Sequence, residues 1–364
     1  MKYYIIAGER SGDLHASNLM KALLREDNKA EFRYFGGDYM KAVAETLVVH
    51  IHELAFMGFW EVLTNLGTIK RLLKTCKEDI DKFKPDAIIL VDYAGFNLKI
   101  AKYAKTKGYK VLYYISPKVW AWNQKRANKI KGRVDHMFAI LPFEVDFYKK
   151  FNWSNVTYVG NPVAEAVEQH QVNGNFLKDY GIDTETKIIA VLPGSRKQEL
   201  DHILPSIRQV IVDNPQHQFF IAAVNSLPVE LYDSIKDLAN TTLIFDDTYN
   251  LLAHAKAAII TSGTATLETA LWNVPQVVVY KANWFSYNVA KSMVMVKYIS
   301  LVNLIMGAEV IKELVQGDCT AEKISEELEA LLKDGIDYST LRQKLGANVA
   351  SEETAKLITA QINS

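Results

Sequence analysis

Cysteine is scarce in this chain of 364 residues, which contains only two. Cys76 and Cys319 lie far apart, and neither belongs to a CxxC motif or to a Cys/His spacing of the kind that binds zinc. This usage favours a reducing compartment and argues against a zinc site. We therefore expect a protein without a resident metal ion.

An excess of charge of one sign is also missing, because 42 Lys and Arg residues balance 42 Asp and Glu residues. No overall field attracts nucleic acid or an anionic membrane, so any such affinity must be local, and we expect no nucleic-acid partner. A hydrophobic content of 49% with 23% charged residues is typical of a soluble globular protein, and the length fits two domains.

Long uncharged apolar runs are absent as well. The apolar start, Met1 to Ala7, has only the length of a strand and is followed at once by Glu9, so it predicts neither a signal peptide nor a membrane span. The stretch from Trp284 to Met306 is the most apolar later segment, but it contains Lys291 and Lys297. We expect a buried or interfacial helix and a loop there.

The dinucleotide fingerprint Gly-x-Gly-x-x-Gly is missing after the first predicted strand, Lys2 to Ala7. The loop instead reads Gly8-Glu-Arg-Ser-Gly12-Asp13, and a helical pattern runs from Leu14 to Arg25. Such a loop suits an anion through its backbone N–H groups, or it is a turn that merely requires glycine. Because the fingerprint is missing, a nicotinamide cofactor is disfavoured, and we expect no cofactor.

Predicted strands alternate with helical patterns in both halves of the chain. The strands of the first half are Lys2–Ala7, Arg33–Gly37, Pro85–Val91, Lys110–Ile115, Asp135–Leu141 and Val156–Val159; those of the second are Ile188–Leu192, Phe219–Ala223, Thr242–Phe245, Ala257–Thr261 and Gln276–Val279. This alternation predicts an α/β protein with two doubly wound, Rossmann-like domains that face a cleft. We expect the domains at 1–165 and 186–340, joined by a polar segment, with a helical tail at 341–364.

Asp92 follows the fully apolar run Pro85–Val91 directly. A carboxylate at the carboxyl end of a buried strand is well placed to act as a general base, since apolar neighbours raise its pKa. A turn or helix-capping role for the loop Tyr93–Asn97 is equally compatible with the pattern.

The stretch Ser116–Arg126 follows the next strand and joins two tryptophans, Trp120 and Trp122, to Lys125 and Arg126. Broad apolar faces beside cationic groups suit an acceptor that carries both apolar groups and phosphate. The alternative is an amphipathic helix start whose tryptophans pack into the core.

Two motifs of the second half suit a nucleotide. Gly194, Ser195 and Arg196 offer a small turn, a hydroxyl and a guanidinium for a diphosphate, unless the arginine is merely solvated. In the stretch Thr261–Glu268, hydroxyls precede a predicted helix and suit phosphate, while Glu268 can accept both ribose hydroxyls. The alternative for this stretch is an ordinary helix cap.

Eight stretches resemble the bacterial lipid-A-disaccharide synthase family, in order and over nearly the whole chain: Gly8–Asp13, Met57–Val62, Asp92–Asn97, Ser116–Arg126, Leu141–Glu144, Leu192–Arg196, Ser262–Glu268 and Tyr298–Asn303. The resemblance implies a metal-independent, inverting glycosyltransferase of the GT-B fold. It would join UDP-2,3-diacylglucosamine to 2,3-diacylglucosamine 1-phosphate and release UDP. In such folds the final helix can cross back to the first domain.

The resemblance also implies roles for individual residues, with Asp92 as the base and Arg196 as the essential arginine. The family often has a second aspartate where this chain has Gly95, which leaves Asp92 as the single candidate. The implied donor contacts are Gly194, Ser195, Arg196, Ser262, Gly263, Thr264, Glu268 and Asn303. The implied acceptor or cleft residues are Gly8, Glu9, Ser11, Gly12, Asp13, Met57, Glu61, Asn97, Ser116, Trp120, Trp122, Gln124, Lys125 and Arg126.

The resemblance further implies a cytoplasmic enzyme, peripheral at the inner face of the inner membrane of a Gram-negative bacterium, and leaves a homodimer open. Three other functions stay open. One is another UDP-sugar enzyme of this fold, such as an epimerase or a peptidoglycan-precursor transferase. The others are a dinucleotide-dependent oxidoreductase and a non-catalytic nucleotide-sugar-binding protein.

Overall fold

Parallel strands form one sheet in each of two units of the chain. The computed structural model describes residues 1–54, 66–183, 186–283, 287, 291 and 294–363. The first unit comprises Met1–Pro162 together with Gly346–Ser364, and the second comprises Val163–Leu345. The two doubly wound parallel sheets predicted from the alternating pattern are confirmed.

The sheet of the first unit has the strand order β3-β2-β1-β4-β5-β6-β7. Its strands are β1 (Lys2–Ala7), β2 (Glu31–Gly36), β3 (Leu47–His50), β4 (Ala87–Val91), β5 (Lys110–Tyr114), β6 (His136–Ala139) and β7 (Val156–Tyr158). In the register of the sheet Ala7 pairs with Val91, and Val91 pairs with Tyr114. The carboxyl ends of β1, β4 and β5 therefore lie side by side.

Helices surround this sheet because each presents an apolar stripe to it. In the first helix the buried stripe includes Ala16, Leu19, Met20 and Leu23. The helices of the unit are Arg10–Glu26, Asp38–Lys41, Leu66–Phe83, Ala94–Thr106, Val119–Trp122, Arg126–Lys131, Pro142–Lys149 and Ala350–Asn363, with a 3₁₀ turn at Ile51–Glu53. The predicted helix start at Met57 lies outside the described residues.

The last helix, Ala350–Asn363, packs on the first unit, as the resemblance implied. Its Ala355 and Ile358 are buried in the same apolar cluster as the first helix. Arg25 also donates a 3.0 Å hydrogen bond to Glu352. The chain thus returns to the unit in which it began.

The sheet of the second unit has the order β10-β9-β8-β11-β12-β13. Its strands are β8 (Ile188–Leu192), β9 (Gln218–Ala223), β10 (Thr241–Phe245), β11 (Ala255–Thr261), β12 (Gln276–Tyr280) and β13 (Lys312–Val315). Its helices are Pro162–Gln169, Phe176–Asp179, Lys197–Asp213, Asp233–Lys236, Thr248–His254, Ala265–Leu271, Leu301–Met306, Ala321–Asp334 and Ser339–Leu345, with 3₁₀ turns at Val229–Tyr232 and Gln316–Asp318.

Central strands were predictable because they are apolar on both faces; all residues of β4 and β8 are buried. The edge strands β3 and β13 were missed, since each has only four residues and is only partly buried. Of the apolar stretch Trp284 to Met306, much lies outside the described residues, and Leu301–Met306 is helical. Among the helices of the described ranges, none combines the length and the apolar composition needed to cross a membrane.

Candidate functional site

Asp92 lies at the carboxyl end of β4 in a strained turn. Both Asp92 and Tyr93 have left-handed backbones, with φ of 43° and 47°. Each such residue costs about 1–3 kcal/mol, and such strain is concentrated at functional sites. Asn97 holds the turn, because its fully buried side chain donates to the carbonyl of Asp92 at 2.9 Å and to that of Val91 at 3.2 Å. Tyr113 on β5 donates a further bond to the Asp92 carbonyl.

The surroundings of the Asp92 carboxylate make it a stronger base. Burial raises its pKa, the charge of Glu9 raises it further, and the charge of Lys118 lowers it. Lys118 is an exposed residue four positions beyond Tyr114, the sheet partner of Val91. Sequence reasoning passed over Lys118 in favour of Lys125 and Arg126. Its position just after the strand that adjoins β4 was the available signal.

The glycine loop after β1 supports this turn. A Cβ on Gly8 would lie 2.3 Å from the Tyr93 ring, so glycine is required for the close approach. Glu9 and Ser11 are exposed, whereas Gly12 is buried at the start of the first helix.

Asp13 does not fit its expected place as an acceptor or cleft residue. It is 1% exposed, and its carboxylate accepts backbone N–H bonds from Gly37 at 2.7 Å, Tyr39 at 3.0 Å and Met40 at 3.2 Å. It therefore binds the start of the helix Asp38–Lys41, because a buried carboxylate must satisfy its oxygens.

Trp120 is a core residue, which corrects the expectation of an acceptor contact. It is 5% exposed, its indole N–H donates a 3.0 Å bond to Glu144, and its ring meets Phe143 edge to face at 5.0 Å. Ser116 is likewise 4% exposed and shares a 2.8 Å hydrogen bond with the hydroxyl of Tyr148. Both residues anchor the stretch Ser116–Arg126 in the core of the unit.

Trp122, by contrast, is 42% exposed. The guanidinium of Arg126 lies 5.1 Å from the centre of its ring, in a cation–π arrangement. Lys125 beside them is exposed, and Gln124 donates a 3.1 Å bond to the Trp120 carbonyl. Apolar surface and positive charge thus meet at Trp122, Lys125 and Arg126.

The turn after β8 differs from the expected phosphate cradle. Gly194 has φ of 112°, and the backbone N–H groups of Ser195 and Arg196 donate to Glu199 at 2.9 and 3.2 Å. These amides are already occupied, so they are not free to approach a diphosphate. The Arg196 side chain is 82% exposed and lies 3.6 Å from Glu199. The guanidinium is the group that the turn offers to an anion.

The polar groups of the stretch after β11 differ in exposure and in hydrogen bonding. The Ser262 hydroxyl donates a 2.8 Å bond to the Ile299 carbonyl, Gly263 is half-buried, and Thr264 is exposed and makes no side-chain cap. Glu268 accepts a 3.1 Å hydrogen bond from Tyr249. Burial raises the pKa of Glu268, and the bond from Tyr249 opposes that shift.

Asn303 is fully buried, which argues against the expected contact with uridine or sugar. Its amide donates to the Ile311 carbonyl at 2.8 Å and to Glu313 at 2.9 Å, and its oxygen accepts from the backbone of Val310 at 2.7 Å. The Ser300 backbone donates to the same Glu313. Asn303 thus fixes the segment that receives the Ser262 hydroxyl.

Two expected acceptor or cleft residues, Met57 and Glu61, lie outside the described residues. Within the described ranges, no group of three or more His, Cys, Asp or Glu side chains converges in a way that could hold a metal ion.

Comparisons with known proteins agree with this arrangement. Residues 3–360 match the family model described as lipid-A-disaccharide synthetase. The lipid-A-disaccharide synthase of Geobacter metallireducens is 37% identical over 97% of this chain and 95% of its own length. That of Nitrosococcus oceani is 36% identical over 94% of this chain and 90% of its own.

Solved structures share the fold. UDP-GlcNAc 2-epimerase from Neisseria meningitidis, bound to UDP-GlcNAc, superposes with a TM-score of 0.69 at 14% identity over 100% of both chains. The glycotransferase of kitacinnamycin also gives 0.69 at 14% identity, over 99% of each chain. These likenesses are to GT-B glycosyltransferase and epimerase folds. The match to the family model and the identity to its members show that the chain belongs to the lipid-A-disaccharide synthase family and is a glycosyltransferase of lipid A disaccharide synthesis.

Proposed function

We propose that the chain transfers diacylglucosamine from UDP-2,3-diacylglucosamine to 2,3-diacylglucosamine 1-phosphate, with Asp92 as the general base. A bond forms between the acceptor hydroxyl oxygen and the anomeric carbon, while the bond from that carbon to the UDP oxygen breaks. The hydroxyl proton passes to the Asp92 carboxylate. In-line attack from the face opposite UDP inverts the configuration.

The state of Asp92 is the observation that carries this proposal. Its turn is held in a strained left-handed conformation by Asn97 and Tyr113, which fixes the direction of the carboxylate. Burial and Glu9 raise its pKa, so the ionised form is a better proton acceptor than an ordinary aspartate. Lys118, whose charge acts on Asp92, offers a cation to the acceptor phosphate near this base.

We assign the donor to the second unit. The exposed guanidinium of Arg196 would stabilise the negative charge that develops on the departing UDP. Ser262, Gly263 and Thr264 offer small and hydroxyl-bearing groups for phosphate, and Glu268 offers a carboxylate to the ribose hydroxyls. No step of this scheme requires a cofactor.

The test is a direct assay of the reaction with Asp92→Asn, which keeps the shape of the side chain and removes its basicity. We expect turnover to fall by about 10²–10⁴, the usual contribution of a general base, while UDP still binds. Asp146→Asn is the matched control, because that carboxylate is 77% exposed and pairs only with the neighbouring Lys149 among the described residues.

Near-normal turnover by Asp92→Asn would remove it as the base. Epimerisation of unacylated UDP-GlcNAc, with no disaccharide from the acylated substrates, would favour the epimerase alternative.

We also propose that Trp122, Lys125 and Arg126 contact the membrane surface from which an acylated acceptor is taken. An exposed indole suits the interfacial region of a bilayer, and the two cations suit its phosphates. We propose that, in a Gram-negative cell, the enzyme is peripheral at the cytoplasmic face of the inner membrane.

A further inference from the structure

Tyr249 and Glu268 form a pair that nothing in the sequence motifs suggested. The Tyr249 hydroxyl donates a 3.1 Å hydrogen bond to Oε1 of Glu268. Among the described residues Tyr249 is the one hydrogen-bond partner of this carboxylate. Tyr249 belongs to the helix Thr248–His254, and Glu268 to the neighbouring helix Ala265–Leu271.

The ring of Tyr249 is itself held in place by two other rings. His170 meets it edge to face at 5.3 Å, and Trp272 lies 6.1 Å from it at an interplanar angle of 59°. His170 and Trp272 also meet each other edge to face at 5.8 Å. Such ring contacts restrict the orientation of all three side chains.

Hydrogen bonds also connect the helix Thr248–His254 to the segment that carries His170. The Asn250 side-chain oxygen lies 3.2 Å from Nε2 of His170 and accepts a 2.8 Å bond from the backbone of Asn173. The Asn250 amide donates a 2.7 Å bond to Asp247. These ring contacts and hydrogen bonds therefore hold the Tyr249 hydroxyl in position beside Glu268.

We propose that Tyr249 is a positioning residue that makes the donor site selective for ribonucleotides. This inference rests on the proposed role of Glu268 at the ribose. A glutamate has three rotatable side-chain bonds, so a free carboxylate loses considerable entropy when it binds two vicinal hydroxyls. The bond from Tyr249 to Oε1 fixes that carboxylate beforehand and engages only one of its two oxygens among the described residues.

The test compares the binding of UDP and of 2′-deoxy-UDP by calorimetry. The wild type should prefer UDP by about tenfold or more, as expected for a hydrogen bond to a charged group. Tyr249→Phe deletes one oxygen and keeps the ring contacts. We expect it to bind UDP several-fold more weakly and to lose most of the preference over 2′-deoxy-UDP, with the native fold retained in circular dichroism.

Tyr180→Phe is the matched control. Tyr180 lies in the same unit, is 40% exposed, and packs its ring on Phe176 and Phe220. Its hydroxyl should be dispensable for both ligands.

Glu268→Gln separates the inference from the proposed site. Weaker UDP binding by Glu268→Gln, with wild-type selectivity in Tyr249→Phe, overturns the role of Tyr249 and leaves Glu268 at the ribose. Equal weakening of both ligands in Tyr249→Phe also overturns it, since that is the effect of a general structural role. Wild-type UDP binding by Glu268→Gln overturns the proposed ribose contact itself.

Discussion

The indole N–H of Trp120 donates a 3.0 Å hydrogen bond to Oε1 of Glu144, a carboxylate that is only 1% exposed. Oε2 of the same carboxylate accepts the backbone N–H groups of Ile140 at 3.2 Å and Leu141 at 3.1 Å. The bond from Trp120 to Glu144 therefore links the segment after β5 to the segment after β6. It fixes the stretch Ser116–Arg126, in which Trp122 stays exposed.

Substitution of Trp120 should lower the stability of the folded protein. Trp120→Ala is expected to lower the free energy of unfolding by about 3–5 kcal/mol, because it leaves a large buried cavity. It also removes one of the donors to Glu144, which keeps the backbone N–H groups of Ile140 and Leu141. Trp122→Ala should change stability by less than about 1 kcal/mol, since its ring is 42% exposed. Urea unfolding of both variants is the measurement, and equal losses would contradict the assignment of Trp120 to the core.

Substitution of Trp122 should weaken binding to a membrane surface. We expect Trp122→Ala to reduce cosedimentation with vesicles that contain anionic lipid, because the exposed indole is removed from beside Arg126. Tyr39→Ala, at a residue that is 40% exposed elsewhere on the unit, is the control. If both variants sediment like the wild type, this surface does not bind the membrane.

Glu144 should make stability depend on pH. Burial raises the pKa of Glu144 from 4.5 to about 7, so folding favours the protonated acid. The contribution of Glu144 to stability is fully present below the pKa of the unfolded chain and is lost as pH rises through the pKa of the folded protein. The total loss in the free energy of unfolding is about 3 kcal/mol. The free energy of unfolding should therefore fall between pH 4.5 and 7. Glu144→Gln should lack this part of the pH profile, and parallel profiles of variant and wild type would refute the shift.

Removing the negative charge of Glu9 or the positive charge of Lys118 should shift the pH profile of activity in opposite directions. Asp92 must be ionised to accept a proton, so kcat/KM should fall as pH drops through its raised pKa. Glu9→Gln removes a charge that raises this pKa, and the acid limb should move to lower pH. Lys118→Met removes a charge that lowers it, and the limb should move to higher pH. Lys125→Met is the control; shifts of one sign in both test variants would contradict the assignment.

Much of this site could be predicted from local sequence. The apolar run of β4 ends directly at Asp92, and the run of β8 leads into the turn of Arg196. A buried parallel strand needs apolar residues on both faces, so its end is visible in the sequence.

The rest depends on partners that are distant in sequence. Trp120 and Trp122 are two residues apart, and Trp120 turns inward to meet Glu144 and Phe143, which are distant in sequence. The burial of Asn303 was not predicted, because its partners Ile311 and Glu313 lie just before and within the short strand β13, which the pattern did not reveal. Hydrogen-bond partners of this kind leave no periodic signal.

Asn97 tests whether the strained turn matters for catalysis. Asn97→Leu keeps the approximate size of the side chain and removes the donor to the carbonyls of Val91 and Asp92. Each lost hydrogen bond costs about 0.5–1.5 kcal/mol, so the variant should be less stable by that order. We also expect kcat to fall at least about tenfold, because the left-handed turn relaxes and the carboxylate loses its direction.

The decisive comparison is between kcat and donor binding. Tyr113→Phe removes the other donor to the Asp92 carbonyl and should show a smaller effect of the same kind. The proposed UDP contacts lie in the other unit, so UDP binding should stay unchanged in both variants. If Asn97→Leu loses stability while its kcat stays at the wild-type value, the turn is a folding feature only. Loss of kcat with intact UDP binding instead requires that the conformation of residues 92 and 93 positions the base.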